Sequence, residues 1–425
     1  MAIRQLFLRD FPFILAGNIL SSLAQWLLLL YLSRASGVDA MGVYIWVLSL
    51  LTPITTFATL GLRNLIAANA HPEISFSHYF HIRLGATLIA LAIALGCALY
   101  SEHRQQRDFF LLIGLLKAIE MQSDLCYGYL HLQAKAWYQG ISLMLRFGLG
   151  IPAFALGSLL TASYYGGFGA LILVWLGTLL LLDRRAIAQG VLTDPPHNHA
   201  VSVGQLIKLL HRSALPLALA STLGAVIFNL PRYVIGAVHG DYILGIFAAL
   251  TSFIMLQNLL CIALGQTLLP RLSALHLANN LPGFLRLLLI AMVITVVISL
   301  MLVAAISVFG TEILTLTFGP ELAEYNAEFL RITLLAIPLL MGQVISYANM
   351  AVKQFSNTLW VSIASGLASL LMAWPVINHF GILGGGLIMA VVGCTQIIGF
   401  MFSILSQFRT DTPESTTPTT LPQRH

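Results

Sequence analysis

The chain has 425 residues, of which 58% are hydrophobic and only 9% charged, with a formal net charge of +5. A water-soluble fold of this length needs far more charge to cover its outside, so that class is excluded. The apolar residues gather in runs of membrane-spanning length, and the chain reads as an all-α polytopic membrane protein.

A basic head (Arg4, Arg9) precedes the first span, residues 11–33, which is too long for a signal-peptide core and is expected to be retained. Further spans are expected at 42–61, 84–100, 109–130, 139–160, 168–182, 213–238, 242–268, 284–309, 328–350, 358–377 and 384–407. Each approaches the roughly 20 residues a helix needs to cross a bilayer core. That makes about twelve transmembrane helices. The longest polar interruption, 183–212, opens with Asp183-Arg184-Arg185 and is turn-rich around Pro195 and Pro196. The expected organisation is an N-terminal six-helix lobe over 1–182, a cytoplasmic linker over 183–212 and a C-terminal six-helix lobe over 213–407. A disordered, Thr/Pro-rich cytoplasmic tail follows over 408–425.

An even number of spans puts both termini on one side of the membrane. If that side is cytoplasmic, its segments hold Arg4, Arg9, Arg63, Arg83, Lys135, Arg184, Arg185, Lys208, Arg212, Arg271, Arg286, Lys353, Arg409 and Arg424. These are 14 of the 21 basic residues, and the opposite loops hold only Arg34, Arg104 and Arg107. The positive-inside rule therefore predicts cytoplasmic termini. The basic balance belongs to this topology, and nothing indicates nucleic-acid binding.

Catalytic and metal chemistry find no support. Cys97, Cys126, Cys261 and Cys394 all fall in spans without CxxC spacing, and they read as packing residues. His78 and His81 have no third ligand near them. Nucleotide-binding and nucleophile-elbow motifs are missing. The chain is expected to be no enzyme, with no cofactor, no metal and no catalytic residue.

The two halves echo each other. Gly37 through Tyr44 and Gly240 through Phe247 both read G-x4-G-[VI]-[YF]. Lys135-Ala136-Trp137 and Lys353-Gln354-Phe355 follow spans four and ten. Gly166 through Ala170 and Gly381 through Gly385 open spans six and twelve. Three pairs in the same order imply a repeat, and six spans per half make it a parallel one, about an axis along the membrane normal. Such folds place the substrate path between two lobes that rock about it.

The stretch from Leu32 through Tyr44 and on to Arg63 resembles the first two helices of the polysaccharide (O-antigen type) flippases. These belong to the multidrug/oligosaccharidyl-lipid/polysaccharide exporter superfamily. Asn229-Leu230-Pro231-Arg232-Tyr233, then Leu244 through Leu250, Leu264-Gly265-Gln266 and Pro270-Arg271-Leu272 are similar to that family's helices seven and eight. The resemblance implies alternating-access movement of an undecaprenyl-pyrophosphate-linked oligosaccharide across the bacterial inner membrane, with both termini cytoplasmic. It further implies contact with membrane lipids, a coupling proton or sodium ion, and polysaccharide polymerase machinery as a partner.

Such a task calls for a wet cavity carrying cations, so charges inside spans are the residues of interest. Lys117, Glu120 and Asp124 stand at i, i+3 and i+7 in span four, on one helix face. Arg146 lies seven residues into span five. The expected cavity cations are Lys117, Arg146, Arg232 and Arg34, with Glu120 or Asp124 binding the coupling ion. The competing reading is an internal salt bridge that locks helices four and five, and for Arg232 a side chain that snorkels to lipid phosphates. Asn18 and Gln25 in span one are weaker cavity candidates. The threonine stripe Thr52, Thr55, Thr56 and Thr59 reads as packing and back-bonding. Pro53, Pro152, Pro216, Pro338 and Pro375 are candidate hinges. Two alternatives stay open: a cation-coupled multidrug exporter on the same fold and, from another class, a membrane glycan polymerase or ligase.

Overall fold

A computed structural model describes residues 11–71, 74–133, 135–191, 203–352 and 355–410. The basic head, the Pro195-Pro196 segment, Lys353-Gln354 and the tail beyond Thr410 lie outside the described residues. Among the described residues the fold is entirely helical, as expected.

The first six helices are α1 (Phe11–Ser36), α2 (Val38–Ala58), α3 (Phe76–Tyr100), α4 (Arg104–Leu132), α5 (Trp137–Thr161) and α6 (Tyr164–Thr178). A π-helical turn, Leu179–Asp183, carries α6 directly into Arg184–Val191. The second set comprises α7 (215–239), α8 (241–277), α9 (Leu281–Thr317), α10, α11 (Phe355–Phe380) and α12 (Ile382–Thr410). Helix α10 is broken at Ala336 into Asn326–Leu335 and Ile337–Ala351, with Pro338 in the first turn of the second piece. Proline there gives up only an amide that a helix start leaves unpaired.

Hydropathy and length alone pick out ten spanning stretches among the described residues, and two physical details raise that to twelve. Helix α4 fails the test because Lys117, Glu120 and Asp124 interrupt it, although it packs among the others as a full-length helix. The continuous stretch 204–277 is two helices, because Gly240 (φ 79°, ψ −179°) turns the chain between them. That conformation is open to glycine and strained for other residues.

Gly37, between α1 and α2, has nearly the same backbone angles (φ 88°, ψ 165°). The repeat read from sequence is therefore present in the backbone at its strongest point. Packing follows the two halves, with α1–α6 in one lobe and α7–α12 in the other, and the principal seam between them is α2 against α7 and α8. Without a hydrophobic force between helices in lipid, small residues bring backbones close. Gly17 of α1 approaches the Gly140 carbonyl of α5 so closely that a Cβ would stand 2.9 Å from it. Aromatic edges fill the N-terminal lobe, with Phe154 5.1 Å from Tyr31 and 5.3 Å from Phe168. Trp26 crosses the seam to Phe253 at 5.9 Å.

For orientation, the end carrying the start of α1 and the end of α12 is the terminal end, and the opposite end is the far end. At the far end the two glycine motifs meet each other. A Cβ on Gly42 would overlap the Asp241 carbonyl, and one on Gly245 would overlap the Val38 carbonyl. The contact is reciprocal, as an axis between the lobes demands. Beside it, Ser33 Oγ donates to the Phe318 carbonyl at 2.9 Å. Arg34 donates to the carbonyls of Thr315 (2.6 Å), Leu316 and Thr317 (3.0 Å), the unpaired last carbonyls of α9. The far end is closed.

Candidate functional site

The residues expected to form one cationic cavity are distributed over four places, and their partners explain why. Lys117 donates to Glu120 Oε2 at 2.8 Å across one turn of α4. This pair is partly exposed, the lysine side chain to 26% and the glutamate side chain to 46%. Asp124, one turn further along α4, pairs instead with two arginines. Arg63 Nη1 approaches it at 3.0 Å and Arg83 Nη2 at 3.7 Å. Arg63 reaches Gln139 Oε1 with its other arm, also at 3.0 Å, and His131 meets the same oxygen at 2.7 Å. Arg83 is fully buried, and none of its three nitrogens makes a hydrogen bond, so Asp124 is its only compensation among the described residues. Sequence reading counted Arg63 and Arg83 as loop charges. The nearest hint was Gly128, where a Cβ would stand 2.7 Å from the Arg63 carbonyl.

Arg146, expected as a cavity cation, is enclosed inside the N-terminal lobe. It pairs with Asp183 at 3.3 Å with both side chains essentially inaccessible, donates to Ser123 Oγ, and lies over the Trp175 ring at 5.1 Å. Asp183 was expected to open the linker. Because α6 continues through its π turn, the carboxylate stays within the lobe and meets Arg146. The ion pair joins α5 to the end of α6, and the Ser123 bond ties Arg146 to α4 as well. Arg34 is the far-end clasp on α9 described above.

Arg232 is different. It lines a cavity in the C-terminal lobe enclosed by α7, α8, α10, α11 and α12, with about 1060 Å³ of atom-free space including its mouth. Pro231 precedes it at the wall, and the residue itself is 9% exposed. Arg232 Nη1 donates to Asn229 Oδ1 at 2.9 Å, and Nη2 faces the Met255 sulfur at 3.7 Å. Its guanidinium stands 5.7 Å from the Phe228 ring centre. Among the described residues no carboxylate pairs with it, and it is the one charged group on the cavity wall. The wall also presents Asn258, Gln343 and Gln396, and Asn258 Oδ1 is buried without a hydrogen-bond partner.

Asn18 and Gln25 are exposed on α1, Gln25 donating to Ser21 Oγ at 3.3 Å. They lie on a face roughly opposite Ile19, Leu23 and Leu27, which form the helix's exposed apolar stripe. The threonine hydroxyls of α2 bond back to their own helix, Thr52 to Leu48, Thr55 to Leu51 and Thr59 to Thr56, as the packing reading expects.

No family model matches the chain. Among curated proteins it is 22% identical over 394 residues to the capsular polysaccharide biosynthesis protein CapF of Staphylococcus aureus, covering 93% of this chain and 98% of that one. Among solved structures it superimposes on a MATE-family multidrug-resistance transporter of the MOP superfamily in its inward-facing conformation. The TM-score is 0.69 at 15% identity, covering 94% and 96% of the two chains. The chain shares the fold of that transporter. The lipid II flippase MurJ in an inward closed conformation agrees equally well, with a TM-score of 0.70 at 14% identity over 92% and 88% of the chains. The resemblance to polysaccharide flippases read from the first two helices and from α7 and α8 thus stands beside a capsular relative and a flippase neighbour. The chain is a multi-pass membrane protein.

Proposed function

We propose that this protein is a flippase that carries a lipid-linked oligosaccharide across the bacterial inner membrane by alternating access, and is not an enzyme. The observation that carries the reading is the contrast in charge between the lobes. In the N-terminal lobe Lys117 and Arg146 each face a carboxylate of their own, and Arg63 and Arg83 share Asp124. In the C-terminal lobe Arg232 faces a cavity with amides around it and no counter-charge among the described residues. A buried cation without a partner is costly, and an anionic ligand removes that cost. An organic-cation exporter would want the opposite sign at this wall. The capsular relative and the lipid II flippase neighbour support a lipid-linked glycan as cargo, in keeping with an undecaprenyl-pyrophosphate carrier.

The far end is taken as the periplasmic side, and both termini as cytoplasmic, on the distribution of Lys and Arg. The partly exposed Lys117–Glu120 pair is the best-placed site for a coupling proton or sodium ion, since both charges stand within a span and neither side chain is fully buried. Arg34 acts on the substrate path indirectly, by holding the periplasmic end shut. Asn18 and Gln25 line the inward-facing space on α1. Polysaccharide polymerase machinery is the expected downstream partner.

The test is a deletion strain complemented with wild type or Arg232→Gln. The flippase reading expects surface polysaccharide to vanish on deletion while lipid-linked repeat units accumulate, with little rescue by Arg232→Gln. Normal surface glycan together with new drug sensitivity would establish the multidrug-exporter reading instead. Loss of polymer without trapped lipid-linked units would point to a polymerase.

A further inference from the structure

We propose that the C-terminal cavity receives an acidic sugar of the glycan, a hexuronate-type carboxylate, and not the pyrophosphate that joins glycan to lipid. The proposal rests on the flippase reading and names which part of the cargo this cavity recognises.

Three features separate the two anions. The first is charge. A pyrophosphate diester carries two negative charges, and sites for it gather several cations or open helix starts. This wall supplies one guanidinium. The helix start nearest to it, at Ile337, is covered, because the Leu339 backbone nitrogen packs against Gly393 of α12. A single planar guanidinium matches a single carboxylate, which it can hold with two parallel N–H···O bonds.

The second feature is hydrogen-bond sense. Asn258 Oδ1 is a buried acceptor without a partner and therefore needs a donor. An ionised pyrophosphate has only acceptors, whereas a sugar brings hydroxyl donors. Gln343 and Gln396 add amides, each able to donate and accept, on the facing helices α10 and α12. The hydroxyls of Thr251 and Ser362 already donate to Phe247 and Thr358 carbonyls, so they face the cavity as acceptors as well. The third feature is the apolar remainder of the wall. Phe228, Phe247 and Ile254 offer surface for the C–H faces of a pyranose and nothing for a phosphate.

The experiment uses the full-length protein in lipid nanodiscs and three probes: a hexuronate-containing oligosaccharide, the same oligosaccharide with its carboxyl reduced to an alcohol, and inorganic pyrophosphate. The wild-type chain should bind the acidic form roughly ten- to a hundredfold more tightly than the reduced form, the worth of a charge-assisted hydrogen-bonded pair. Arg232→Gln should abolish that ratio, Arg232→Lys should keep part of it, and Asn258→Leu should weaken both oligosaccharides alike. Pyrophosphate should not compete. The ligand comparison on wild type needs no variant to fold. Equal binding of the two oligosaccharides, no binding of either, or competition by pyrophosphate that depends on Arg232 overturns the proposal. None of these outcomes touches the flippase reading, which is judged by lipid-linked glycan in the deletion strain whatever its sugars.

Discussion

Replacing Arg146 by methionine removes the only charge paired with Asp183 among the described residues and leaves that carboxylate inside a lobe where it is fully inaccessible. At 3.3 Å, two unit charges attract by about 5 kcal/mol with an effective dielectric of 20. Desolvation offsets much of this in the intact pair, but in the single variant the penalty on Asp183 stands alone. Breaking a buried pair from one side costs about 3–5 kcal/mol. The variant also loses the Ser123 contact and the cation over Trp175. The double variant Arg146→Met/Asp183→Leu has no buried charge left, so it should recover at least about 2 kcal/mol of that loss. Equilibrium unfolding in mixed micelles, followed by tryptophan emission, measures all four corners of the cycle, and Trp175 reports the site itself. The reasoning fails if Arg146→Met keeps near wild-type stability yet abolishes transport. Arg146 would then act on substrate and not as a strut between α5 and α6.

Asp124→Asn should cost about as much as breaking the Arg146 pair, because Arg83, fully buried, loses the one counter-charge it has among the described residues; a thermal shift on purified protein checks this. Gly245→Val should keep the far end from closing, since the side chain overlaps the Val38 carbonyl, and labelling of a cysteine introduced at that end should rise in that variant. Arg34→Ala removes charge-assisted bonds to the last carbonyls of α9, and a loss of about 1.5–3 kcal/mol would move an open/closed ratio at that end by roughly ten- to a hundredfold; spin-label distances between α1 and α9 read the shift. Thr55→Val should change stability by no more than about 1 kcal/mol and leave transport intact, because the hydroxyl serves only its own helix.

The sequence by itself determined the membrane class, the number of helices and the repeat. All three rest on local properties: apolar runs of spanning length, glycines where the backbone must turn, and the order in which they recur. The bundle of α1 to α12 follows that plan, even where α4 is too charged and α7–α8 too continuous for hydropathy alone. Periodicity also placed Lys117, Glu120 and Asp124 on one face of α4, but a period says which side of a helix a residue is on and nothing of what stands opposite. Only the tertiary structure decided that Lys117 turns to Glu120, that Asp124 answers Arg63 from 61 positions away, and that Arg146 meets Asp183 across 37. The last pairing was hidden because Asp183 reads as the first polar residue after a span, and the π turn that keeps it inside the lobe leaves no mark in composition. The same limit held for Arg232. Its place beside Pro231 was legible, but its lack of a carboxylate partner among the described residues is a property of five packed helices and belongs to no single one of them.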